Sequence, residues 1–346
     1  MQSLALTPSQ LGELLARTLP ARLPVLITGA PGIGKSDIVA QAAKAAGSEL
    51  ILSHPAVSDP TDVKGLPWAT DGSKEATFLP FGDLARATKA KKPTVWFLDD
   101  LGQATPAVQA SYMQLLLARR VSTHVLPDCV TFVAATNRRT DRANVSGILE
   151  PVKSRFAAIV ELRADVNEWS QWALANGVPP ELVAFMRFRP ELLSAFAPSA
   201  DLTQSPTPRT WAHAGKILGL GLPASLEVQA LAGAVGEGAA TELVAFLRLF
   251  RDLPSIDAIL VDPDSQEIPG QPATLYAVTT ALASRANVKT FGRIARYAQR
   301  LVDAQHGEFA ALILRDSMRR DPKVVHTEAF VRLAAGDLGQ LIGGAR

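Results

Sequence analysis

The chain has 346 residues, of which 47% are hydrophobic and 20% are charged, a globular composition that excludes a disordered tail. Its 35 basic side chains nearly balance 33 acidic ones, and the net charge of +2 argues against a protein that mainly coats nucleic acid. Cys129 is the single cysteine, which excludes an intramolecular disulfide. No run approaches the ~18 apolar residues of a membrane span, and no secretory signal is evident, so we expect a cytoplasmic protein without a membrane partner.

The first half of the chain predicts a parallel sheet between layers of helices. The spacing of Leu11, Leu14 and Leu15 indicates a first helix within residues 9–18. Short apolar runs then alternate with helical stretches, as in sheets that are buried on both faces. These five predicted strands are Val25–Thr28, residues 50–52, Thr94–Leu98, residues 130–134 and Ala158–Leu162.

The strands stop after about residue 165, and the rest of the sequence predicts helices. Residues 241–253 and 292–304 each place their apolar side chains on one helix face. Proline-rich stretches at 197–208 and 262–272 interrupt this half. The five histidines are isolated, so they predict no metal site.

A phosphate-binding loop is predicted directly after the first strand. Residues 29–36 fit the pattern G-x-x-x-x-G-K-[ST], with a strand before it and a helix after it. The glycines let successive backbone N–H groups point at phosphate oxygens, and the following helix adds its positive end. Lys35 supplies a cation for the β and γ phosphates, and Ser36 supplies a hydroxyl ligand for Mg²⁺.

Two later strands end in side chains that suit nucleotide hydrolysis. Asp99 and Asp100 follow Thr94–Leu98, and the carboxyl ends of parallel strands face the ligand crevice. Asp99 is the expected outer ligand of Mg²⁺, and Asp100 is the expected group to orient or deprotonate the attacking water. Asn137 follows the next strand and is expected to hold the water or the γ phosphate.

These residues resemble the AAA+ ATPases, which implies ATP hydrolysis with Mg²⁺ on a five-stranded αβα domain with a helical lid. The loop is similar to Walker A, Asp99 and Asp100 to Walker B, and Asn137 to sensor 1. The resemblance also places an arginine finger at Arg155 and sensor 2 at Arg209, while Arg138, Arg139 and Arg142 are rival fingers. The nucleotide-binding residues that it implies are Gly29, Ala30, Pro31, Gly32, Ile33, Gly34, Lys35, Ser36, Asp37 and Arg209.

Within this family the chain most resembles the MoxR group, because residues 58–80 are similar to its helix-2 insert. The resemblance implies three regions: the nucleotide-binding domain at 1–165, the lid at 166–225 and a further helical region at 226–346. It also implies a homo-oligomeric ring, expected to be a hexamer, that remodels a client protein with a von Willebrand factor A-domain partner.

Two alternatives to this function remain open from the residues. One is a nucleic-acid-processing motor, which the near-neutral charge disfavours. The other is a nucleotide-gated scaffold with little hydrolysis, because Asp100 stands where the family usually has a glutamate, one methylene longer. In the insert, Asp71-Gly72 predicts a hairpin turn, and Trp68 either grips a polypeptide or packs on Phe78 across that hairpin.

Overall fold

The chain forms two compact units. The computed structural model describes residues 5–69, 76–141, 147–199, 201–251 and 255–335. The first unit holds the chain up to residue 168 together with 194–209, and the second holds 169–193 together with the chain from 210 onward. The domain boundaries expected at 165 and 225 remain predictions.

The sheet of the first unit is parallel and has six strands, one more than predicted. Its spatial order is β1-β10-β2-β9-β6-β3, and two short antiparallel hairpins, β4–β5 and β7–β8, stand apart from it. The additional strand is β1, a two-residue edge strand paired with β10, which is too short to leave a periodic pattern. The strands are β1 (Ala5–Leu6), β2 (Val25–Thr28), β3 (Glu49–Ser53), β4 (Leu66–Ala69), β5 (Ala76–Leu79), β6 (Thr94–Leu98), β7 (Arg120–Val121), β8 (His124–Val125), β9 (Val130–Thr136) and β10 (Ala158–Leu162).

Helices cover both faces of this sheet, which confirms the predicted α/β class. Alternate residues of β6 explain the layers: Trp96 and Leu98 belong to one apolar cluster, and Val95 and Phe97 belong to another. The α-helices of the described residues are α1 (Pro8–Thr18), α2 (Lys35–Ala45), α3 (Pro60–Lys64), α4 (Gly82–Thr88), α5 (Pro106–Ala118), α6 (Glu150–Lys153), α7 (Val166–Ala175), α8 (Pro180–Phe188), α9 (Pro208–Leu218), α10 (Ala224–Val235), α11 (Glu237–Arg251), α12 (Ile256–Val261), α13 (Pro272–Ser284), α14 (Phe291–Asp303), α15 (Gly307–Arg320) and α16 (Glu328–Ala334).

The predicted insert contains an exposed hairpin. Strands β4 and β5 pair antiparallel, and Trp68, 59% exposed, lies opposite Thr77, whereas Phe78 lies opposite Pro67. Phe78 is therefore not the direct cross-strand partner of Trp68, contrary to the packing alternative. The predicted turn at Asp71-Gly72 lies outside the described residues.

The second unit is helical throughout its described residues. Helix α13 packs against both α8 and α15, and α14 packs against α15. Arg187 on α8 forms a buried ion pair with Asp316 on α15. Among the helices described, none combines the length and apolar character needed to cross a bilayer.

Candidate phosphate-binding site

The loop between β2 and α2 is curled as a phosphate-binding loop requires. Gly34 has φ +100° and Gly32 has φ +69°, backbone conformations that side-chain-bearing residues rarely adopt. A Cβ on Gly32 would lie 2.7 Å from Thr207 Oγ1, and one on Gly29 would lie 2.9 Å from the carbonyl oxygen of Leu162. The curl therefore requires glycine at 32 and 34, and close packing requires it at 29 and 32.

The remaining loop residues support this geometry in different ways. Ala30 and Ile33 are buried in the apolar cluster between the sheet, α1 and α2. Pro31 is half-buried, and Asp37 lies exposed in the first turn of α2. These contacts anchor the loop to the apolar core, and the 11-residue helix α2 begins directly after the loop.

Lys35 is a buried charged group of the site, with only 7% of its surface exposed. Its Nζ donates hydrogen bonds to the carbonyl oxygens of Gly29 and Ala30, at 2.9 and 3.0 Å, and to Asn137 Oδ1 at 2.8 Å. Burial lowers the pKa of Lys35 to about 8, although Asp100 and Asp99 act in the opposite direction. The ammonium group is therefore held at the loop but poorly solvated.

The two predicted Mg²⁺ ligands lie side by side. The Ser36 hydroxyl, at the start of α2, donates to Asp99 Oδ2 at 2.6 Å. The backbone N–H of Asp99 donates to the carbonyl oxygen of Ser53, which fixes the end of β6 against β3. Both side chains offer hard oxygens of the kind that Mg²⁺ prefers, so the residues present fit that ion. Among the described residues, no cluster of three or more His, Cys, Asp or Glu side chains offers a rival metal site.

Asp100 has an unusual backbone conformation at the end of β6. Its φ of +57° lies in the left-handed region, which redirects the chain after two consecutive carboxylates. Burial raises the pKa of Asp100, and the neighbouring Asp99 raises it further, against the opposing effects of Lys35, His54 and Arg209. The carboxylate is therefore more basic than an exposed aspartate.

Asn137 connects the predicted base to the predicted cation. Its Oδ1 accepts from Lys35, and its Nδ2 donates to Asp100 Oδ1 at 3.3 Å. Asn137 is buried, and β9 delivers it to the same edge of the sheet as Asp99 and Asp100. The structure thus brings together the five side chains that the sequence analysis placed there, namely Lys35, Ser36, Asp99, Asp100 and Asn137.

The candidate finger arginines differ in their surroundings. Arg138 contacts the carboxylates of Asp141 at 2.9 Å and Glu161 at 3.3 Å, so it is engaged within its own chain. Arg139 is exposed. The position of Arg142 lies outside the described residues.

Arg155 lies in the loop between α6 and β10 and is half-buried. Its Nε donates to the carbonyl oxygen of Met113 at 3.1 Å, and Nη1 donates to that of Pro151. These bonds orient the guanidinium without neutralising it, because carbonyl groups carry no net charge.

Arg209 joins the site through the segment that returns to the first unit at 194–209. Its backbone N–H donates to the carbonyl oxygen of Gly32 at 3.0 Å, and its side chain is exposed. Its positive charge lowers the pKa of both Lys35 and Asp100. The predicted sensor 2 residue is thus attached to the phosphate loop itself.

Three further residues of the site were missed by sequence reasoning. Thr207 packs on Gly32, Asp141 is buried near Lys35, and His54 lies near Asp100. His54 directly follows β3, so the strand-end argument that found Asn137 could also have found it. Neither Thr207 nor Asp141 had a sequence signal, because each reaches the site through tertiary packing.

Comparisons with known proteins agree with this geometry at the level of the domain. Residues 24–156 match the family model of the AAA domain, dynein-related subfamily. No curated protein matches the chain.

Similar solved structures include two of RuvB from Thermotoga maritima. One of them, a point mutant, has a TM-score of 0.42 at 16% identity, over 82% of this chain and 85% of that one. The structure titled Holliday junction branch migration motor has a TM-score of 0.40 at 17% identity, over 80% of each chain. NtrX from Brucella abortus in complex with ADP has a TM-score of 0.43 at 16% identity, over 88% of this chain and 68% of that one. At these scores the likenesses carry no argument about function.

Proposed function

We propose that this chain, whose residues 24–156 form an AAA domain on a P-loop fold, hydrolyses ATP in a homo-oligomeric ring and thereby remodels a partner protein. The observation that carries the proposal is the linked set of contacts Ser36–Asp99 and Lys35–Asn137–Asp100 around one glycine-rich loop. Every role that phosphate hydrolysis requires has a suitable side chain in this set. A glycine turn without a phosphate-binding function would not require these side chains beside it.

Binding of the triphosphate would use the loop and Lys35. The N–H groups at the start of α2 face the position of the phosphates, and Lys35 exchanges its carbonyl acceptors for phosphate oxygens. Because burial has already removed most water from Lys35, this exchange costs little further desolvation.

Ser36 and Asp99 would hold Mg²⁺, which when bound neutralises the charge that develops on the phosphates. The hydrogen bond between Ser36 and Asp99 keeps the two oxygen atoms near each other before the ion binds. The ligand set is small, so the nucleotide and water would complete the coordination of the ion.

Asp100 would orient the attacking water and accept its proton. Burial and the neighbouring Asp99 raise the pKa of Asp100, which increases its basicity. Asn137 Nδ2 donates a hydrogen bond to Asp100. When a bound γ phosphate attracts Lys35 and the Asn137 amide, this hydrogen bond would break and free the Asp100 carboxylate to accept a proton.

Arg155 is the preferred finger for the site of a neighbouring subunit. Transition-state charge on the transferred phosphoryl group favours an additional guanidinium. Arg155 is oriented by two carbonyl groups and retains its full charge, whereas Arg138 is neutralised by Asp141 and Glu161. Arg209 would respond to the nucleotide in its own subunit through its bond to Gly32.

The finer assignment to the MoxR type rests on the insert at residues 58–80 and its exposed hairpin β4–β5. A MoxR-type ring, expected to be a hexamer, would act with a von Willebrand factor A-domain partner on a client protein. Trp68 offers an exposed aromatic surface for that polypeptide.

A mixing experiment tests the activity and the ring together. We expect steady-state ATP turnover by the parent, and loss of it in both Asp100→Asn and Arg155→Ala proteins. Equal mixtures of these two inactive proteins should regain activity, because roughly a quarter of the interfaces pair an intact Asp100 with an intact Arg155. Arg17→Ala, at an exposed surface pair, is the matched control and should retain parental turnover.

The outcomes also separate the alternatives. Turnover that requires DNA would favour the nucleic-acid motor, and tight ATP binding without turnover in the parent would favour the scaffold. An active Asp100→Asn protein would refute the proposed chemistry, whereas mixtures that stay inactive would refute Arg155 as the finger in trans.

A further inference from the structure

We propose that the second unit contains a binding site for a doubly charged oxyanion of the phosphate type, formed by Arg187, Arg315 and Arg319 around Asp316. Its residues belong to the second unit, whereas the phosphate loop belongs to the first, and the proposed site does not depend on the proposed ATPase activity.

The site begins with a buried ion pair between two helices. Arg187 Nη1 lies 2.6 Å from Asp316 Oδ2, and the two side chains are 5% and 2% exposed. The same Nη1 also donates to Thr280 Oγ1 on α13 at 3.3 Å. Through these two contacts, Arg187 links helices α8, α13 and α15 with buried polar interactions.

The charges at this point do not balance. Arg319 Nη1 lies 3.7 Å from Asp316 Oδ1, so one carboxylate faces two guanidinium groups. Arg315 lies one turn before Arg319 on α15, and like charges at this spacing repel each other. The formal charges of these four side chains, Arg187, Arg315, Arg319 and Asp316, sum to +2, and Arg315 is close enough to Arg319 to lower its pKa.

The pKa of Arg319 agrees with this excess of positive charge. Its pKa is lowered first by burial and then by repulsion from Arg315 and Arg187, against the attraction of Asp316. An added anion would offset this repulsion and favour the charged form of Arg319.

Hydrogen-bond donors are also available. The Nε atoms of Arg187 and Arg315 are both buried, and neither has an acceptor among the described residues. Guanidinium groups bind phosphate oxygens in a fixed fork geometry, and buried donors gain most from such an acceptor. Arg319 is 43% exposed, so the cluster is open to solvent on that side.

A phosphate ligand fits this cluster of arginines better than a ligand with one carboxylate group does. A phosphate dianion would neutralise the two excess charges and offers several acceptor oxygens for the unpaired donors. The phosphate could be free or could be the terminal phosphomonoester of a larger molecule.

Titration of the full chain with inorganic phosphate, monitored by calorimetry at constant ionic strength, tests the proposal. The Lys35→Ala protein serves as the parent, since this substitution removes the main cation of the phosphate loop. We expect Arg319→Gln to weaken phosphate binding at least tenfold and Arg319→Lys to weaken it less. Each variant should keep the thermal unfolding midpoint of the parent without phosphate, because Arg319 is partly exposed.

Arg320→Gln is the matched control, because Arg320 is the exposed neighbour of Arg319 and carries the same charge. It should leave the affinity within about twofold if binding is local. Equal weakening by Arg319→Gln and Arg320→Gln would indicate only a diffuse positive field and would overturn the proposal. Absence of phosphate binding to the Lys35→Ala parent would also overturn it.

A second titration identifies the source of the phosphate. Phenyl phosphate that binds as well as inorganic phosphate would support a site for terminal phosphomonoesters. Binding of inorganic phosphate alone would support a site for the free ion.

Discussion

Replacing Asp100 by asparagine separates chemistry from binding at the phosphate site. Asparagine has nearly the same shape and can still accept the hydrogen bond from Asn137 Nδ2, so the local packing should persist. It cannot accept a proton. Because a positioned base contributes about 10²–10⁴-fold to rate, we expect turnover to fall by about that factor.

The effect on ATP affinity should be small because two electrostatic changes oppose each other. Asp100 is the strongest attractive charge on Lys35, so its removal lowers the pKa of that lysine below about 8. Its removal also takes away one negative charge from beside the triphosphate. We therefore expect the Kd for ATP to change by less than about threefold, or about 0.7 kcal/mol.

The assay combines steady-state phosphate release with titration of a fluorescent ATP analogue. Asp100→Glu retains the charge and extends the reach, so it should keep measurable turnover. Asp128→Asn is the matched control, since Asp128 is a surface carboxylate with 90% of its side chain exposed. Turnover of Asp100→Asn within about threefold of the parent would refute the role of Asp100 as the base.

Two further predictions concern Lys35 and the ion pair in the second unit. ATP affinity should fall as pH rises above about 8, approaching tenfold per pH unit, because the phosphates need the protonated form of Lys35. Calorimetry from about pH 7 to 9.5 measures this affinity and should also detect proton uptake on binding. An affinity that stays constant over this range would contradict the prediction. Arg187→Met should destabilise the second unit by about 3–5 kcal/mol because it leaves Asp316 buried without its closest partner. Differential scanning calorimetry measures this loss. Arg332→Met, at an exposed pair, should cost under about 1 kcal/mol, and equal losses in the two variants would rule out a special contribution from burial.

Local sequence patterns were sufficient to predict which side chains the structure brings together at the candidate phosphate site. Lys35 and Ser36 lie within one contiguous motif, and Asp99, Asp100 and Asn137 follow apolar runs that predicted buried strands and form them in the structure. Parallel strands end at a common edge, so the position of these side chains followed from the fold class.

Features that depend on tertiary packing were not accessible in the same way. The two-residue strand β1 is held by its pairing with β10 and has no periodicity of its own. The capture of Arg138 by Asp141 and Glu161 depends on where β10 lies, so sequence alone left it equivalent to Arg139. The pair formed by Arg187 and Asp316 joins helices far apart in the chain, which no spacing rule connects.

The amide of Asn137 has a consequence for the timing of the hydrolysis that we propose. One planar group touches both Lys35 and Asp100. Any movement of Lys35 toward a bound ligand therefore also changes the contact between the Asn137 amide and the Asp100 carboxylate. In the ATPase that we propose, this shared contact would keep the empty site from activating water, so that water attacks only when a phosphate is bound.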